Sequence, residues 1–214
     1  MKPYPFNNHT LQDSNKKKSI EIRYEIVESA SEIEVLANWS KADNCPPCPS
    51  PAQRDAGEYA KLAHANWTTY ASFNRCAFSR VDLGNRCLVT PHDDFRIMIA
   101  ARSKAQSDQI LGFVLLRRSF AKSLQLEYLG VAPFWQERIK GLGTTLLYKS
   151  IVMARHLDAE VFYFEETVLS AKFYDKFRPT FAFHLGGLNA FNERDRLVTE
   201  KFISAKFNAS EVES

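Results

Sequence analysis

The sequence predicts an α/β domain, a mixed sheet flanked by helices, and three stretches carry that prediction. Residues 20–27, IEIRYEIV, alternate apolar with polar side chains, the two-residue period of a half-buried strand. Residues 110–116, ILGFVLL, are a nearly continuous apolar run, as expected of a strand covered on both faces. Residues 141–157 set Leu142, Leu146, Val152, Met153 and Leu157 on one broad apolar face, the pattern of an amphipathic helix. Strands interleaved with such helices build layered α/β domains.

Taken in order, the elements read as β-α-α-β-β-β-α-β-α-β-β. Residues 1–19 are a polar lead in which Lys16, Lys17 and Lys18 sit together, and they are expected to be flexible. After the strand at 20–27, Ser29 or Ser31 can cap a helix that continues through Ile33, Leu36 and Ala37 to Trp39. Prolines 46, 47, 49 and 51 make 41–52 a loop, because proline lacks the amide proton and fixes φ. Tyr59, Leu62, Ala63 and Trp67 recur at helical spacing over 53–72. Residues 73–94 are rich in Asn, Asp and Gly and read as irregular. Strands follow at 95–101, 110–116 and 124–131, with a turn at 117–122. Beyond the long helix come a short buried strand at 161–164, a short helix at 170–177 stopped by Pro179, and a closing strand pair at 181–185 and 197–203. The division is therefore a lead at 1–19, one domain at 20–203 with an enlarged helical segment at 28–94, and a polar tail at 204–214.

Composition narrows the class. The chain has 214 residues, of which 45% are hydrophobic and 25% charged, the balance of an ordinary globular protein. Its 16 Phe, 8 Tyr and 3 Trp are enough for a sizeable aromatic core. No run approaches the ~18 apolar residues of a membrane span, so no membrane partner is expected. The first residues carry no apolar segment of signal-peptide type, and a cytoplasmic location is the expectation. The net charge of +3 is too small to argue for nucleic acid, though it suits a small anionic ligand.

The stretch that carries chemistry is 128–148, YLGVAPFWQERIKGLGTTLLY. A strand ends at Val131, Pro133 stops it, and a short loop reaches Gly141 and Gly143 as the long helix opens. Glycines there let the backbone approach a ligand closely. The unpaired amides and the dipole of a helix start favour an anion, and Arg138 and Lys140 add full charges. The pattern is not the dinucleotide G-x-G-x-x-G, since Leu146 stands at its third glycine, and no G-K-[ST] triphosphate loop is present.

Arg138-Ile139-Lys140-Gly141-Leu142-Gly143 resembles the R/Q-x-x-G-x-G/A signature of the GNAT superfamily of N-acetyltransferases. Val131-Ala132-Pro133 stands where those proteins keep V-x-P, and residues 170–177, SAKFYDKF, resemble their A-x-x-F-Y-x-K motif. The resemblance spans about 95–203 and, more weakly, the strand at 20–27. It implies a mostly antiparallel central sheet, acetyl-CoA as co-substrate and an amine acceptor, either a small molecule or a protein, with no metal. It also implies that the coenzyme pyrophosphate lies on the amides of Arg138, Ile139, Lys140, Gly141, Leu142, Gly143 and Thr144. The pantetheine arm would pair with the strand edge at Leu129 and Val131. By the same resemblance Tyr174 is the acid that protonates the departing thiolate.

A phenol with an ordinary pKa of ~10 can serve a thiol of ~8.5. Glu127, Glu165 and Glu166 are candidate bases, Glu127 foremost, and each has the alternative of a salt bridge. His156 and His184 read as structural or surface residues. Two departures fall on the acceptor side or the coenzyme arm. Thr167 replaces a frequent Asn, and Arg178-Pro179 replaces Gly-Phe. The long 28–94 segment falls where the acceptor is normally covered. A non-catalytic acyl-CoA-binding module that offers 28–94 to a partner is the alternative reading, and an oligomer is compatible with either. Cys45 and Cys48 have redox spacing but sit in a proline loop, which favours plain thiols over zinc or a disulfide.

Overall fold

The computed structural model describes residues 6, 8–15, 18–41, 49–73, 96–119, 123–157, 159, 161–165, 167, 170–177, 183–185 and 188–191. Eight strands form one sheet: β1 (His9–Asp13), β2 (Lys18–Ile26), β3 (Arg96–Ser103), β4 (Gln106–Ser119), β5 (Ser123–Val131), β6 (Val161–Glu165), β7 (Phe183–Leu185) and β8 (Leu188–Phe191). Their order is β1-β2-β3-β4-β5-β6-β8-β7. Every neighbouring pair is antiparallel except β5 and β6, which run parallel.

One face of the sheet carries α2 (Leu142–His156), whose Leu142, Leu146, Ile151 and Met153 pack with Ile22, Ile97, Ile99 and Leu116. The other face carries a 3-10 segment (Ala30–Asn38) and α1 (Pro51–Phe73). There Ile33, Leu36, Ala63 and Trp67 pack with Met98, Ala100 and Phe113. A two-sided cover explains the uninterrupted apolar run at 110–116, which is buried throughout.

Two bulges tune the sheet. Register shifts between Ala101 and Ser103 against β4 put Leu111 on the face of Val114 and Ile110 on the face of Phe113. In β5, Leu115 pairs with Tyr128 and Leu116 with Leu126, so Glu127 is an extra residue. Because side chains alternate with a period of two, one extra residue swaps the faces beyond it, and the bulged strand bends. Leu124 and Leu126 pack on the α2 side, Tyr128 on the α1 side, and Leu129 and Val131 again on the α2 side.

Several sequence expectations change. Part of the lead expected to be flexible is β1, which pairs with β2 from His9–Ile22 to Asp13–Lys18 and buries Leu11 and Asp13. The polar composition hid it because β1 is an edge strand with only two buried side chains. Pro51 opens α1 instead of belonging to the preceding loop. Its missing N–H lies where a helix start has no partner to offer. Ser50 and Gln53 close a capping box over it, with Ser50 N–H to Gln53 Oε1 at 2.8 Å and Gln53 N–H to Ser50 Oγ at 3.3 Å. The partner of the 183–185 strand is Leu188–Phe191; residues 197–203, read as that partner, lie outside the described residues. Residues 117–119, read as turn, continue β4.

Candidate functional site

The β5–β6 ladder runs from Ser123–Val161 to Leu126–Phe164 and stops at the Glu127 bulge. Beyond it, residues 128–131 stay paired with β4 on one side, and among the described residues no strand takes the other. The opening is a cleft of about 340 Å³. Leu129, Gly130 and Val131 form its floor and Ala52, Asp55, Ala56 and Tyr59 of α1 one wall. The Ile139–Thr144 loop and α3 (Ala171–Asp175), with Thr167 and Ser170 before it, form the others.

At the start of α2 the backbone turns on Gly141, whose φ is +89°, a left-handed conformation that side chains with a Cβ disfavour. The first bond of the helix joins Thr145 N–H to Gly141 O at 2.9 Å. The amides of Leu142, Gly143 and Thr144 therefore precede the helical ladder, and the helix dipole adds positive potential beside them. A Cβ on Gly143 would lie 3.2 Å from Phe173 Cε2 and 3.8 Å from Val131 Cγ2, so this glycine lets α3 come close to the helix start. Lys176 Nζ donates to Thr144 Oγ1 at 2.8 Å across the same gap. Lys140 and Lys176 are the cations lining the cleft among the described residues.

The turn is tied to the sheet from behind. Tyr24 O–H donates to Thr145 Oγ1 at 2.7 Å, and Thr145 Oγ1 donates to Leu142 O at 2.8 Å. Burial pushes the Tyr24 phenol up from its ordinary 10.0, with the Thr145 hydrogen bond a smaller opposing effect.

Arg138 behaves differently from expectation. Its guanidinium does not line the cleft: Nη2 donates to Asp13 Oδ2 at 2.9 Å, and the group stacks 4.2 Å from the Trp135 ring centroid and 4.8 Å from that of Phe134. Asp13 is 2% exposed. Its bridge to Ile139 and the bond from Ser14 N–H to Arg138 O at 2.8 Å fasten β1 to the loop. The amides of Arg138 and Ile139 are also spent internally, on Trp135 O at 3.1 and 2.9 Å. The part of the loop able to cradle a phosphate thus narrows to its C-terminal half.

Tyr174 lines the cleft and is 4% exposed, its ring 4.4 Å from Phe164 and 4.8 Å from Phe173. Thr167, at the place of the expected Asn, serves the start of α3. Its N–H donates to Ser170 Oγ at 2.8 Å, and Ser170 N–H donates to Thr167 Oγ1 at 3.2 Å. Glu127 is not in the cleft. Its carboxylate accepts Arg96 Nε at 3.2 Å and lies 3.7 Å from Arg117 Nη1, with the side chain 12% exposed. This is the salt-bridge alternative of the sequence reading. Glu165 is exposed at the end of β6, and Glu166, Cys45, Cys48, Arg178 and Pro179 lie outside the described residues. Asp55 and Gln136 were not singled out from sequence, and Tyr59 only as part of a helical stripe. Their signal is faint, because a helix surface shows which face is polar without showing what stands opposite.

Among the described residues no group of three or more His, Cys, Asp or Glu is placed to hold a metal ion, and no helix is long and apolar enough to cross a membrane. No family model and no curated protein matches the sequence. Solved structures do. The spermidine/spermine N-acetyltransferase SpeG of Vibrio cholerae is similar at 13% identity, covering 82% of this chain and 96% of that one, with a TM-score of 0.51. The chain has the GNAT fold. An acetyltransferase of the GNAT family from Desulfovibrio desulfuricans covers 79% of this chain and 94% of its own at 12% identity, TM-score 0.49. The paia N-acetyltransferase of Thermoplasma acidophilum, in complex with coenzyme A, covers 79% and 99% at 15% identity, TM-score 0.48. A mostly antiparallel sheet with a few helices is consistent with that fold.

Proposed function

We propose that this chain is an acetyl-CoA-dependent N-acetyltransferase acting on a small amine. The observation that supports it best is the convergence on one cleft of three features: a strand edge at Leu129–Val131 that no described strand pairs, the helix-start amides at Gly143 and Thr144, and the buried phenol Tyr174. The strand edge suits an extended amide-bearing arm, which would add to the sheet as a further strand. The amides, with Lys140 and Lys176, suit a pyrophosphate. Arg138 supports that cradle from outside, through Asp13.

In the reaction the acceptor must present a neutral nitrogen, because an ammonium has no lone pair. The nitrogen bonds to the acetyl carbon while the carbon–sulfur bond breaks and its electrons leave on sulfur. A strand amide near Leu129 or Val131 can stabilise the carbonyl oxygen as negative charge grows. Tyr174 gives its proton to the sulfur, and the proton lost by the new amide restores the phenol through water. Glu127 has no part in this scheme, since its oxygens already serve Arg96 and Arg117.

The test is a panel of amines with detection of free thiol, beside the thermal shift given by acetyl-CoA. A ligand held only by the native state must raise the melting temperature. Thiol release that requires an added amine supports the transferase. A thermal shift with no thiol release from any amine supports a non-catalytic acyl-CoA-binding module instead.

A further inference from the structure

We propose that Asp55 and Tyr59 form a subsite for a second ammonium of the acceptor, so that the preferred acceptor is a diamine or longer polycation rather than a monoamine or an amino acid. This rests on the transferase reading of the same cleft. Asp55 is the one carboxylate among the described residues lining it. It is half-buried and has no hydrogen bond or ion pair with any described residue. Its chain neighbour Arg54 does not neutralise it, since Arg54 Nη1 donates to Pro49 O at 3.1 Å.

A half-buried carboxylate without a partner is costly unless something cationic arrives to meet it. Tyr59 lies one helical turn further along the same face of α1, where residues four apart are neighbours. Its ring is steadied by Tyr128 at 5.9 Å, and an aromatic face next to a carboxylate is a good seat for an ammonium. Ala52 and Ala56 flank Asp55 and leave the approach free of bulk.

The helix is also fixed in place. Buried Gln53 Nε2 donates to Pro133 O at 3.0 Å, and Gln136 Nε2 bridges Ala52 O at 3.4 Å and Val131 O at 3.1 Å. Asp55 is thereby held on the α1 wall, across from the walls that carry Lys140 and Lys176.

Chemistry decides which nitrogen sits there. A carboxylate beside an ammonium favours its charged form. Asp55 therefore suits a nitrogen that stays charged while another reaches Leu129. An α-amino acid would bring its own carboxylate into this region and be repelled.

The experiment compares 1,4-diaminobutane with n-butylamine on the full chain. Its first arm is calorimetry of 1,4-diaminobutane with protein saturated by coenzyme A. Its second is the ratio of kcat/KM for the two amines. Asp55→Asn should weaken the calorimetric affinity and lower the ratio by about 10-fold or more, the scale of a lost charge-assisted hydrogen bond. Asp55→Glu should retain most of both, and Tyr59→Leu should lower both by about 3-fold. The coenzyme A thermal shift confirms that each variant is folded. If Asp55→Asn leaves the affinity and the ratio where they were, the subsite is wrong while the transferase stands. If the wild type acetylates no amine, the transferase reading falls and calorimetry alone decides: diaminobutane binding weakened by Asp55→Asn keeps the subsite, and no such weakening ends it.

Discussion

The β5–α2 side of the cleft offers backbone groups, whereas the α1 side offers side chains. On the first, the strand edge at Leu129–Val131 and the amides at Gly143 and Thr144 present hydrogen-bonding groups that every residue carries. What matters there is conformation, which is why Gly141 is needed at φ +89°. On the second, Asp55, Tyr59 and the small Ala52 and Ala56 project from a regular helix, so what that wall offers depends on which residues stand there. On the proposed function, the coenzyme would be held by backbone and the acceptor by side chains. The four expectations below probe that contrast.

The largest effect should come from behind the backbone-built wall. Asp13→Ala would leave the Arg138 guanidinium, 13% exposed at its side chain, without its carboxylate. Breaking such a pair costs about 3 kcal/mol, to be read from urea unfolding. The acetyl-CoA thermal shift should shrink with it, because β1 fastens the loop at Ile139. A stability change below about 0.5 kcal/mol would show that the wall supports itself.

Next, Tyr174→Phe keeps the ring on Phe164 and Phe173 and removes the phenolic proton. Turnover should fall about 10²-fold, with the coenzyme shift and the circular dichroism spectrum retained. Full activity would mean that the thiolate leaves without this acid.

A smaller effect concerns Lys149, on the far side of α2 from the cleft. It is 1% exposed, with Nζ 5.0 Å from the Tyr24 ring and 5.4 Å from that of Tyr148. Burial lowers its pKa from 10.5 to about 8. Between pH 8 and about 10 the unfolded chain keeps a proton that the folded chain has released, so stability should rise with pH there. Above about 10 the raised phenol of Tyr24 reverses the slope, because the folded chain then holds a proton that the unfolded chain loses. Lys149→Met should add about 1–2 kcal/mol at pH 7 and progressively less toward pH 10, measured by chemical unfolding across the range. A constant difference at all pH values would show that Lys149 does not titrate there. The smallest effect is expected for Cys45→Ser with Cys48→Ser: turnover within a few-fold of wild type, and its loss in a folded variant would reopen a redox or metal role.

Sequence alone determined the strands of the sheet's centre, the long helix and the glycine turn between them. Their signals are local: alternation over 20–27, a continuous apolar run over 110–116, and an R-I-K-G-L-G turn after a strand. A motif of that kind is legible because its conformation is demanded within a few residues. Tertiary structure decided the rest. Arg138 reads as a phosphate-facing charge until β1, more than a hundred residues earlier in the chain, brings Asp13 against it. Glu127 reads as a base until the bulge against β4 turns it toward Arg96 and Arg117. The Asp55 wall was invisible for the same reason: which face of α1 meets the parted strands is settled by Gln53 reaching Pro133, a contact between residues far apart in the chain. Local periodicity fixes what an element is, because it follows from the geometry of successive residues. The charge opposite a given side chain is set by packing, and packing joins residues that no short window of sequence contains.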